Sequence, residues 1–305
     1  MKNIELVLTS TLIISLISLL FLFSIPKDIQ INTYISAPAQ VLSIEIKTPR
    51  RTFSQPPPQI SAISALAVDY DSGMLLFEKN SNLPFPPASL TKLMTALVAL
   101  ENCNQDKNIK IKKVQNNGTQ MGLIPNDVVN VESLIYGLLL PSGNDAAEAL
   151  AQNCGSSYEQ FIYSLNKKSE QLGMINTHFT NPAGFESKNH SSTAEDLLIL
   201  AKTALSVPLI YEVVSTKEKI VYDTLGKKQY HLRNLNKLLT GENGVFGVKT
   251  GTGTFGENLI LGYQKDNQKI LIAVLGSNDR FFDATLIKDW VFESYRWPNE
   301  SVSTF

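Results

Sequence analysis

Apolar residues are interspersed with polar ones along most of this chain, but one stretch near the N-terminus is almost continuously apolar. Residues 6–25 contain no charged residue, glycine or proline, and a run of about 20 such residues is long enough to cross a bilayer as a helix. Lys2 precedes this run and Pro26 ends it. We therefore predict a cytoplasmic N-terminus at 1–5 and an uncleaved transmembrane signal anchor at 6–25, with the rest of the chain outside the cytoplasm.

The segment that follows has a different composition. Residues 26–60 hold six of the 14 prolines of the chain, which favours an extended linker over packed structure. The triplet at 37–39 resembles a signal-peptidase site, so cleavage followed by secretion is the alternative to an anchor. We place the folded domain at 61–297 and a short C-terminal tail at 298–305.

Beyond residue 60 the spacing of apolar positions predicts discrete strands and helices. Period-two patterns occur towards both ends of the domain, whereas the middle has helical spacing. The predicted strands are 64–69, 74–78, 245–252, 258–263 and 269–275, and the predicted helices are 88–100, 131–140, a helix from 146, 158–172, 192–205 (opened by a Ser192–Glu195 capping box) and 283–295. This order predicts an α+β fold in which one antiparallel sheet, built from both termini, is flanked by helices.

Composition narrows the classes of partner. Basic and acidic residues are balanced at 27 and 28, and no basic stripe occurs, so we expect no nucleic-acid partner. Cys103 and Cys154 are the only cysteines, and no His-rich or C-x-x-C cluster is present, so we expect no metal and no cofactor. Each cysteine follows a predicted helix, but the spacing leaves open whether the two form a disulfide.

The candidate chemistry centres on the helix predicted at 88–100. Ser89 and Lys92 are three residues apart, so they share one face of that helix. An apolar stripe of Leu93, Leu97 and Leu100 would bury the helix. A hydroxyl held beside an amine on a buried helix is the layout of a serine nucleophile with a lysine base. The Ser-x-x-Lys spacing is common by chance, so this interpretation needs support from the rest of the chain.

Two further motifs provide that support. Ser142-Gly143-Asn144 falls in a predicted turn between helices, and Lys249-Thr250-Gly251 lies on a predicted strand. Each motif alone is common. Together with Ser-x-x-Lys, in this order and in these settings, they are the three signatures of the penicillin-recognising serine enzymes.

With its flanking residues, the sequence resembles the low-molecular-mass penicillin-binding proteins that act as serine-type D-alanyl-D-alanine carboxypeptidases. The resemblance runs from about residue 63 to 297 and rests on the segments 69–73, 87–95, 142–147, 181–184 and 248–252. It implies a β-lactamase/D,D-peptidase-like fold with an added all-helical subdomain. It also implies peptidoglycan stem peptides as substrates, β-lactams as covalent inhibitors, and a place in the bacterial cell membrane through the N-terminal helix.

The resemblance also implies a role for each motif residue. Ser89 would attack the penultimate carbonyl of an acyl-D-Ala-D-Ala peptide, and Lys92 would act as its base if burial and the charge of Lys249 keep it neutral. Water would then hydrolyse the acyl-enzyme. The other expected roles are proton relay by Ser142, positioning by Asn144, carboxylate binding by Lys249 and Thr250, close backbone approach at Gly251, and an oxyanion hole made by the N–H groups of Ser89 and Thr252.

Three residues near these motifs have less specific expected roles. Arg280 is a possible ligand of the substrate carboxylate, with a surface ion pair as the alternative. His190 is expected to be structural rather than catalytic, because no histidine of the chain shows the spacing of a triad. Asp145 is expected to cap the helix that follows it.

Other activities are compatible with the same fold. The first alternative is a D,D-endopeptidase that cleaves peptidoglycan crosslinks. A β-lactamase is disfavoured because no Glu-x-x-Leu-Asn-type segment lies between Ser142 and Lys249, and an inactive peptidoglycan-binding protein is disfavoured by three intact motifs. Larger relatives carry a β-rich domain and a C-terminal anchor that we do not find before Phe305, so we expect N-terminal attachment. The stem-peptide chemistry and the oligomeric state are left open.

Overall fold

The computed structural model describes residues 48–52, 55–114 and 117–298. The predicted N-terminus and signal anchor, most of the linker at 26–60, and nearly all of the predicted tail at 298–305 lie outside the described residues. Within the described residues, no helix taken alone has the length and apolarity needed to cross a membrane, although Ala194–Leu205 and Pro208–Ser215, bent by 106° at their junction, meet these criteria as a pair.

The strands form one large sheet and several short pairs. In chain order they are β1 (Arg50–Arg51), β2 (Ser64–Asp69), β3 (Leu75–Lys79), β4 (Asn108–Lys110), β5 (Val128–Asn130), β6 (Glu218–Tyr222), β7 (Gln229–Arg233), β8 (Val245–Gly253), β9 (Gly256–Lys265), β10 (Gln268–Ser277) and β11 (Tyr295–Arg296). The large sheet has the order β3-β2-β10-β9-β8, and the pairs are β1-β11, β4-β5 and β6-β7.

The large sheet is antiparallel and is built from both ends of the domain. Strands β2 and β10 lie side by side, with Ala67 opposite Ile272, and β9 and β10 form the predicted hairpin. This arrangement confirms the predicted α+β fold. Strand β8 has a neighbour on one side only among the described strands, so it lies at an edge of the large sheet.

Helices cover both faces of the sheet. A short 3₁₀ turn (Ala88–Thr91) precedes the α-helices, which are α1 (Lys92–Asn102), α2 (Val131–Leu139), α3 (Asn144–Asn153), α4 (Tyr158–Gln171), α5 (Ala194–Leu205), α6 (Pro208–Ser215), α7 (Leu238–Gly241) and α8 (Arg280–Ser294). Ala284, Ile287 and Val291 of α8 join one apolar cluster with the sheet. Helices α1 to α6 form a larger cluster against the opposite face.

Helix α1 lies at the centre of the helical part. Every residue from Lys92 to Ala99 is buried, and α1 contacts α2, α3, α4 and α5. A helix that is buried on all sides is a core helix rather than a surface helix with one apolar stripe, so the predicted stripe understated its burial. Because α1 is enclosed by other helices, the side chain at its first position, Lys92, is held deep inside the protein.

The structure corrects several predicted boundaries. Arg50 and Arg51, which fell in the predicted linker, pair with Arg296 and Tyr295 of β11, so packed structure begins before residue 61. The capping box at the start of α5 was assigned one residue too early. The hydroxyl of Thr193, not that of Ser192, accepts the bond from the backbone N–H three residues on. Helix α6, opened by a proline at its first position, was not predicted.

The two cysteines form a disulfide. Cys103 follows α1 and Cys154 follows α3, and their Cα atoms lie 5.4 Å apart. The bridge therefore joins the C-terminal ends of the two helices whose N-terminal ends carry Lys92 and Asn144. A bond that closes a loop of 51 residues stabilises a fold by about 4 kcal/mol when it acts through the entropy of the unfolded chain.

Candidate active site

Ser89 lies on the 3₁₀ turn that leads into α1, not on the α-helix predicted for it. Ala88 starts the turn with a left-handed backbone at φ 49°, a conformation that costs a non-glycine residue free energy. Gly184 packs directly against this turn. A β-carbon at position 184 would collide with the Ala88 carbonyl, so this position requires glycine. The turn is thus fixed from outside, and Ser89 and Lys92 still share one face because 3₁₀ geometry aligns residues three apart.

Lys92 is fully buried, and its amine has three close partners. Nζ lies 2.9 Å from Ser89 Oγ, 2.7 Å from Asn144 Oδ1 and 2.7 Å from the Ala183 carbonyl oxygen. The last two atoms only accept hydrogen bonds. A neutral amine has two N–H groups, which these acceptors occupy, so its lone pair is left facing the hydroxyl of Ser89. This is the geometry of a base ready to take the serine proton.

The electrostatics of Lys92 favour the same neutral form. Burial, with the nearby charge of Lys249 as a second cause, holds the pKa of Lys92 well below its usual range. The carboxylates of Asp145 and Glu148 oppose this shift without cancelling it.

The Ala183 carbonyl is a functional group that the sequence analysis did not assign. Asn181 Oδ1 accepts bonds from the N–H groups of Gly184 and Phe185 and so closes the turn. Thr95 of α1 donates to the neighbouring Pro182 carbonyl at 2.7 Å. The segment 181–184 was noted in the sequence only as a stretch that resembles the family. In the structure it fixes a carbonyl oxygen next to the amine of Lys92.

Ser142 and Asn144 reach the cavity from the turn between α2 and α3. Ser142 has a left-handed backbone at φ 62°. Its hydroxyl is buried and has no hydrogen-bond partner among the described residues, which is costly unless a ligand supplies one. Asn144 uses its Oδ1 for Lys92 and donates from Nδ2 to the Asn117 carbonyl at 2.6 Å. The structure brings both residues to Ser89, as the motifs predict.

Asp145 is not the N-cap of α3. It lies within the first turn of the helix, after the N-cap Gly143, although its Oδ1 also accepts a bond from the Ala146 N–H at 2.9 Å. Its carboxylate accepts bonds from the backbone N–H groups of Met121, Gly122 and Leu123 at 2.8–2.9 Å. The loop at 117–123, which includes Gly118 and Thr119 of the cavity wall, is thereby tied to the turn that carries Ser142 and Asn144.

Strand β8 supplies the opposite wall. Lys249 is 2% exposed, and its Nζ donates to the Thr250 carbonyl at 3.0 Å. Burial, followed by the charge of Arg280, lowers the pKa of Lys249 to about 7. A β-carbon at Gly251 would lie 3.3 Å from the backbone nitrogen of Ser89, so the absence of a side chain here allows strand and serine turn to lie close together.

Arg280 forms an ion pair and also borders the cavity. Its guanidinium donates to the Gly251 carbonyl at 2.7 Å and to Thr252 Oγ1 at 2.9 Å. Its Nε lies 3.7 Å from the carboxylate of Glu257. Arg280 therefore pairs with a carboxylate and also stands at the cavity beside Thr252.

These residues enclose a cavity of about 260 Å³. Its walls include Ser89 and Asn144 on the helical side and Thr250 to Thr252 on the strand side. Ser142 also lines the cavity, and its buried hydroxyl has no hydrogen-bond partner among the described residues. Lys249, which precedes Thr250 on β8, is buried and is not among the residues that line the cavity. The expected oxyanion-hole residues, Ser89 and Thr252, both line it. The cavity can accept a peptide end that bears one anionic group and places a carbonyl carbon beside Ser89.

His190 lies behind the serine turn rather than in the cavity. Its Nδ1 accepts from the Thr180 N–H at 3.0 Å, so its Nε2 carries the proton and donates to Thr91 Oγ1 at 2.8 Å. Burial lowers the pKa of His190 to about 4. A ring that is neutral and occupied on both nitrogens supports the structural role expected from the sequence.

Comparison with known proteins gives a consistent result. A model of the family described as D-alanyl-D-alanine carboxypeptidase matches residues 51–279. The D-alanyl-D-alanine carboxypeptidase DacF of Bacillus subtilis is 35% identical over 245 residues, which cover 77% of this chain and 63% of that protein. This chain thus spans less than two thirds of that relative's length.

Two further matches carry different activity names. The D-alanyl-D-alanine endopeptidase of Escherichia coli is 31% identical over 77% of this chain and 78% of its own length. Among solved structures, the Streptomyces K15 DD-transpeptidase superimposes with a TM-score of 0.74 at 33% identity, over 78% of this chain and all of that one. The family model's range of 51–279 includes all three motifs.

Proposed function

The chain belongs to the D-alanyl-D-alanine carboxypeptidase family, and we propose that it is a serine D,D-carboxypeptidase that removes the terminal D-alanine from peptidoglycan stem peptides. The observation that carries this proposal is the environment of Lys92. Two fixed acceptors occupy the N–H groups of its neutral amine and leave the lone pair for the Ser89 hydroxyl, 2.9 Å away.

In the first half of the proposed reaction, Ser89 Oγ attacks the penultimate carbonyl carbon and its proton passes to Lys92 Nζ. The negative charge that develops on the carbonyl oxygen faces the N–H groups of Ser89 and Thr252, which act as the oxyanion hole. When the intermediate collapses, the C–N bond to D-alanine breaks and the leaving nitrogen needs a proton. Ser142, whose buried hydroxyl lacks a partner among the described residues, relays that proton from Lys92.

The strand side of the cavity orients the substrate. The terminal carboxylate of the peptide binds the ammonium of Lys249 and the hydroxyl of Thr250, with Arg280 adjacent. In the second half of the reaction, Lys92 takes a proton from water, which attacks the ester carbonyl. As this intermediate collapses, the C–O bond to Ser89 breaks, Lys92 returns the proton to Ser89 Oγ, and the shortened peptide is released. No carboxylate lines the cavity in the described part of the chain, so we expect penicillin to form an ester with Ser89 that hydrolyses slowly.

The test is release of D-alanine from diacetyl-Lys-D-Ala-D-Ala by the full chain in detergent, with the Ser89→Ala protein alongside. We expect release and fluorescent-penicillin labelling that both require Ser89. Persistent labelling of Ser89→Ala would refute the assigned nucleophile.

Crosslink cleavage is the second candidate, because the matched E. coli relative is named an endopeptidase. Ser89-dependent penicillin labelling without D-alanine release, together with cleavage of crosslinked muropeptides, would favour it.

We also propose that residues 6–25 anchor the protein in the bacterial cell membrane, with the catalytic domain outside the cytoplasm. The Cys103–Cys154 disulfide supports this location, because disulfides persist mainly in oxidising compartments. Digestion of intact spheroplasts with a protease should remove the catalytic domain. Full protection of the domain in cells that degrade a known external protein would contradict this topology, and recovery in the medium would indicate cleavage.

A further inference from the structure

The Cys103–Cys154 disulfide joins two helices that also meet in the active site. Helix α1 begins at Lys92 and is followed by Cys103, and α3 begins at Asn144 and is followed by Cys154. At one end of the pair, Lys92 Nζ donates to Asn144 Oδ1 at 2.7 Å. At the other end the two sulfur atoms are bonded. The two helices are therefore linked at both ends, once by catalytic side chains and once by a covalent bond.

A surface cavity of about 350 Å³ lies beside the covalent link and takes no part in the reaction proposed above. Cys154 lines this cavity, together with the exposed residues Gly155 and Ser156 that follow it and with Lys107. Both cysteines are otherwise more than nine-tenths buried. Because Cys103 is not among the lining residues, a group that enters the cavity meets the disulfide on the side of Cys154.

The position of Lys107 makes the two sulfur atoms unequal. Its Nζ donates to the Asn153 carbonyl at 2.8 Å and lies 3.5 Å from Cys103 Sγ. A cation next to a cysteine stabilises its thiolate. In thiol–disulfide exchange, the sulfur that carries negative charge more readily is the better leaving group. The surroundings of the bond therefore favour attack at Cys154 and departure of Cys103.

We propose that this bond is a regulatory exchange site for a dithiol reductant and that its reduction slows the acylation of Ser89. The proposal rests on the proposed function and adds a form of regulation to the same active site. First, a thiolate of the reductant attacks Cys154 Sγ, the disulfide breaks, and its electron pair leaves on Cys103 Sγ beside Lys107. The second thiol of the reductant then loses its proton and attacks its own sulfur in the mixed disulfide, which releases Cys154. The reductant becomes a disulfide, and its two protons and two electrons end on the two cysteine thiols.

Reduction would release the helix ends that lie opposite the catalytic residues. Helices α1 and α3 pack against each other, and each is about 15 Å long, so a change in the angle between them displaces Asn144 relative to Lys92. Asn144 Oδ1 is one of the two acceptors that leave the lone pair of a neutral Lys92 facing Ser89. Displacements of about 1 Å slow enzymatic reactions by up to about 100-fold. We expect a smaller effect, because the second acceptor, the Ala183 carbonyl, lies on neither helix.

The first experiment measures reduction of the folded protein. The full chain in detergent is treated with dithiothreitol in the absence of denaturant, and the free thiols are counted by mass after alkylation with iodoacetamide. We expect the wild type to be reduced, and Lys107→Gln to be reduced about threefold more slowly. The matched control, Lys110→Gln, changes an exposed lysine outside this cavity and should behave as wild type. Reduction that requires urea, or equal rates in Lys107→Gln and wild type, would overturn the exchange site.

The second experiment measures the rate constant of acylation by a fluorescent penicillin before and after reduction, well below the melting temperature of the reduced protein. We expect acylation to be about tenfold slower after reduction and to recover when oxidised glutathione restores the disulfide. The control for a general loss of stability is oxidised Asp283→Asn, which loses a buried acceptor of the Ser61 and Ala62 N–H groups and should keep the wild-type rate.

Three results of the second experiment would overturn the proposal. They are equal acylation rates in the oxidised and reduced wild type, slowing that reoxidation does not reverse, and equal slowing in the Asp283→Asn control. Absence of any acylation of the oxidised wild type would instead refute the proposed function, and the inference about regulation with it.

Discussion

The helical side and the strand side of the catalytic cavity each bury one lysine, but the two amines differ in the number of hydrogen-bond acceptors around them. Lys92, on the helical side, has protein acceptors for both N–H groups of its neutral amine. Lys249, on the strand side, has one acceptor, the carbonyl of the next residue in the chain. A neutral Lys92 is complete without a ligand, whereas a charged Lys249 has N–H groups to spare. The comparison indicates that Lys92 serves as a base and Lys249 as a cation that awaits an anion.

The pKa values of the two lysines follow the same division. Burial lowers the pKa of both lysines, and that of Lys249 falls to about 7. A substrate carboxylate next to Lys249 would favour its charged form and raise its pKa. The charge of Lys249 also lowers the pKa of Lys92. A charged Lys249 therefore favours the neutral form of Lys92 that the reaction needs.

Loss of the base on the helical side should have the largest effect. Lys92→Met keeps the length of the side chain but removes the proton acceptor, so we expect the second-order rate constant of acylation by a fluorescent penicillin to fall by about 10²–10⁴-fold. The change also leaves Asn144 Oδ1 and the Ala183 carbonyl without their donor, so some stability should be lost, and acylation is measured well below the melting temperature of the variant. Acylation of the folded variant within a few-fold of wild type would show that another group takes the proton.

Loss of the cation on the strand side should act mainly on substrate binding. Lys249→Gln removes a charge-assisted bond to the substrate carboxylate, so kcat/KM for D-alanine release should fall by about 10²-fold. The same change removes a positive charge near Lys92, so the pKa of Lys92 should rise. The acid limb of the acylation profile should then move to higher pH. An acid limb that stays in place would mean that the two lysines do not interact.

A change at Asp145 tests whether the helical side of the cavity depends on the hydrogen bonds that hold the loop at 121–123. In Asp145→Asn, one acceptor oxygen becomes an amide that faces backbone donors at 121–123. We expect a loss of about 2–4 kcal/mol in the free energy of unfolding and acylation slowed by about tenfold as the cavity wall shifts.

The matched control for Asp145→Asn is Asp283→Asn. That carboxylate is equally buried and accepts backbone bonds from Ser61 and Ala62, but it lies at the helix on the far face of the sheet. It should lose similar stability and retain wild-type acylation, measured well below the melting temperature. If acylation slows equally in both variants, the effect of Asp145 is a general loss of stability and not a specific effect on the cavity wall.

His190, behind the serine turn, should affect stability rather than chemistry. Its pKa is about 4 in the folded protein and near 6.5 in an unfolded chain, so the unfolded state binds more protons between these values. The free energy of unfolding should therefore show no loss from His190 above about pH 6.5. It should fall by about 3 kcal/mol as the pH drops towards 4. Urea unfolding of wild type and His190→Gln at pH 4.5 and pH 7 measures this. An unchanged pH dependence in the variant would contradict the assignment.

The main side chains on both sides of the cavity were predictable from the sequence, because the three motifs specify which residue types occur and in which order. Ser89, Lys92 and Lys249 are found where the motifs indicate, and strands at both ends of the domain gave the central sheet. Periodicity could not distinguish a core helix from an amphipathic one, so the full burial of α1 appeared only in the packed structure.

The groups that complete the helical side were not predictable in the same way. The Ala183 oxygen is a backbone atom, and every residue has one, so no residue type marks it. Asp145 follows a turn and precedes a helical pattern, which is also the signature of a cap. Three of its backbone partners, Met121, Gly122 and Leu123, lie more than 20 residues earlier in the chain.

The most direct test of the opposite protonation states is the pH dependence of kcat/KM for D-alanine release in wild type and in Lys249→Arg. Wild type should show an acid limb from Lys92 and an alkaline limb with an apparent pKa of about 7 from Lys249. Arginine keeps its charge at all these pH values. The variant should therefore lose the alkaline limb and keep the acid one, even if its maximum is lower. An alkaline limb that is unchanged in Lys249→Arg would contradict the account.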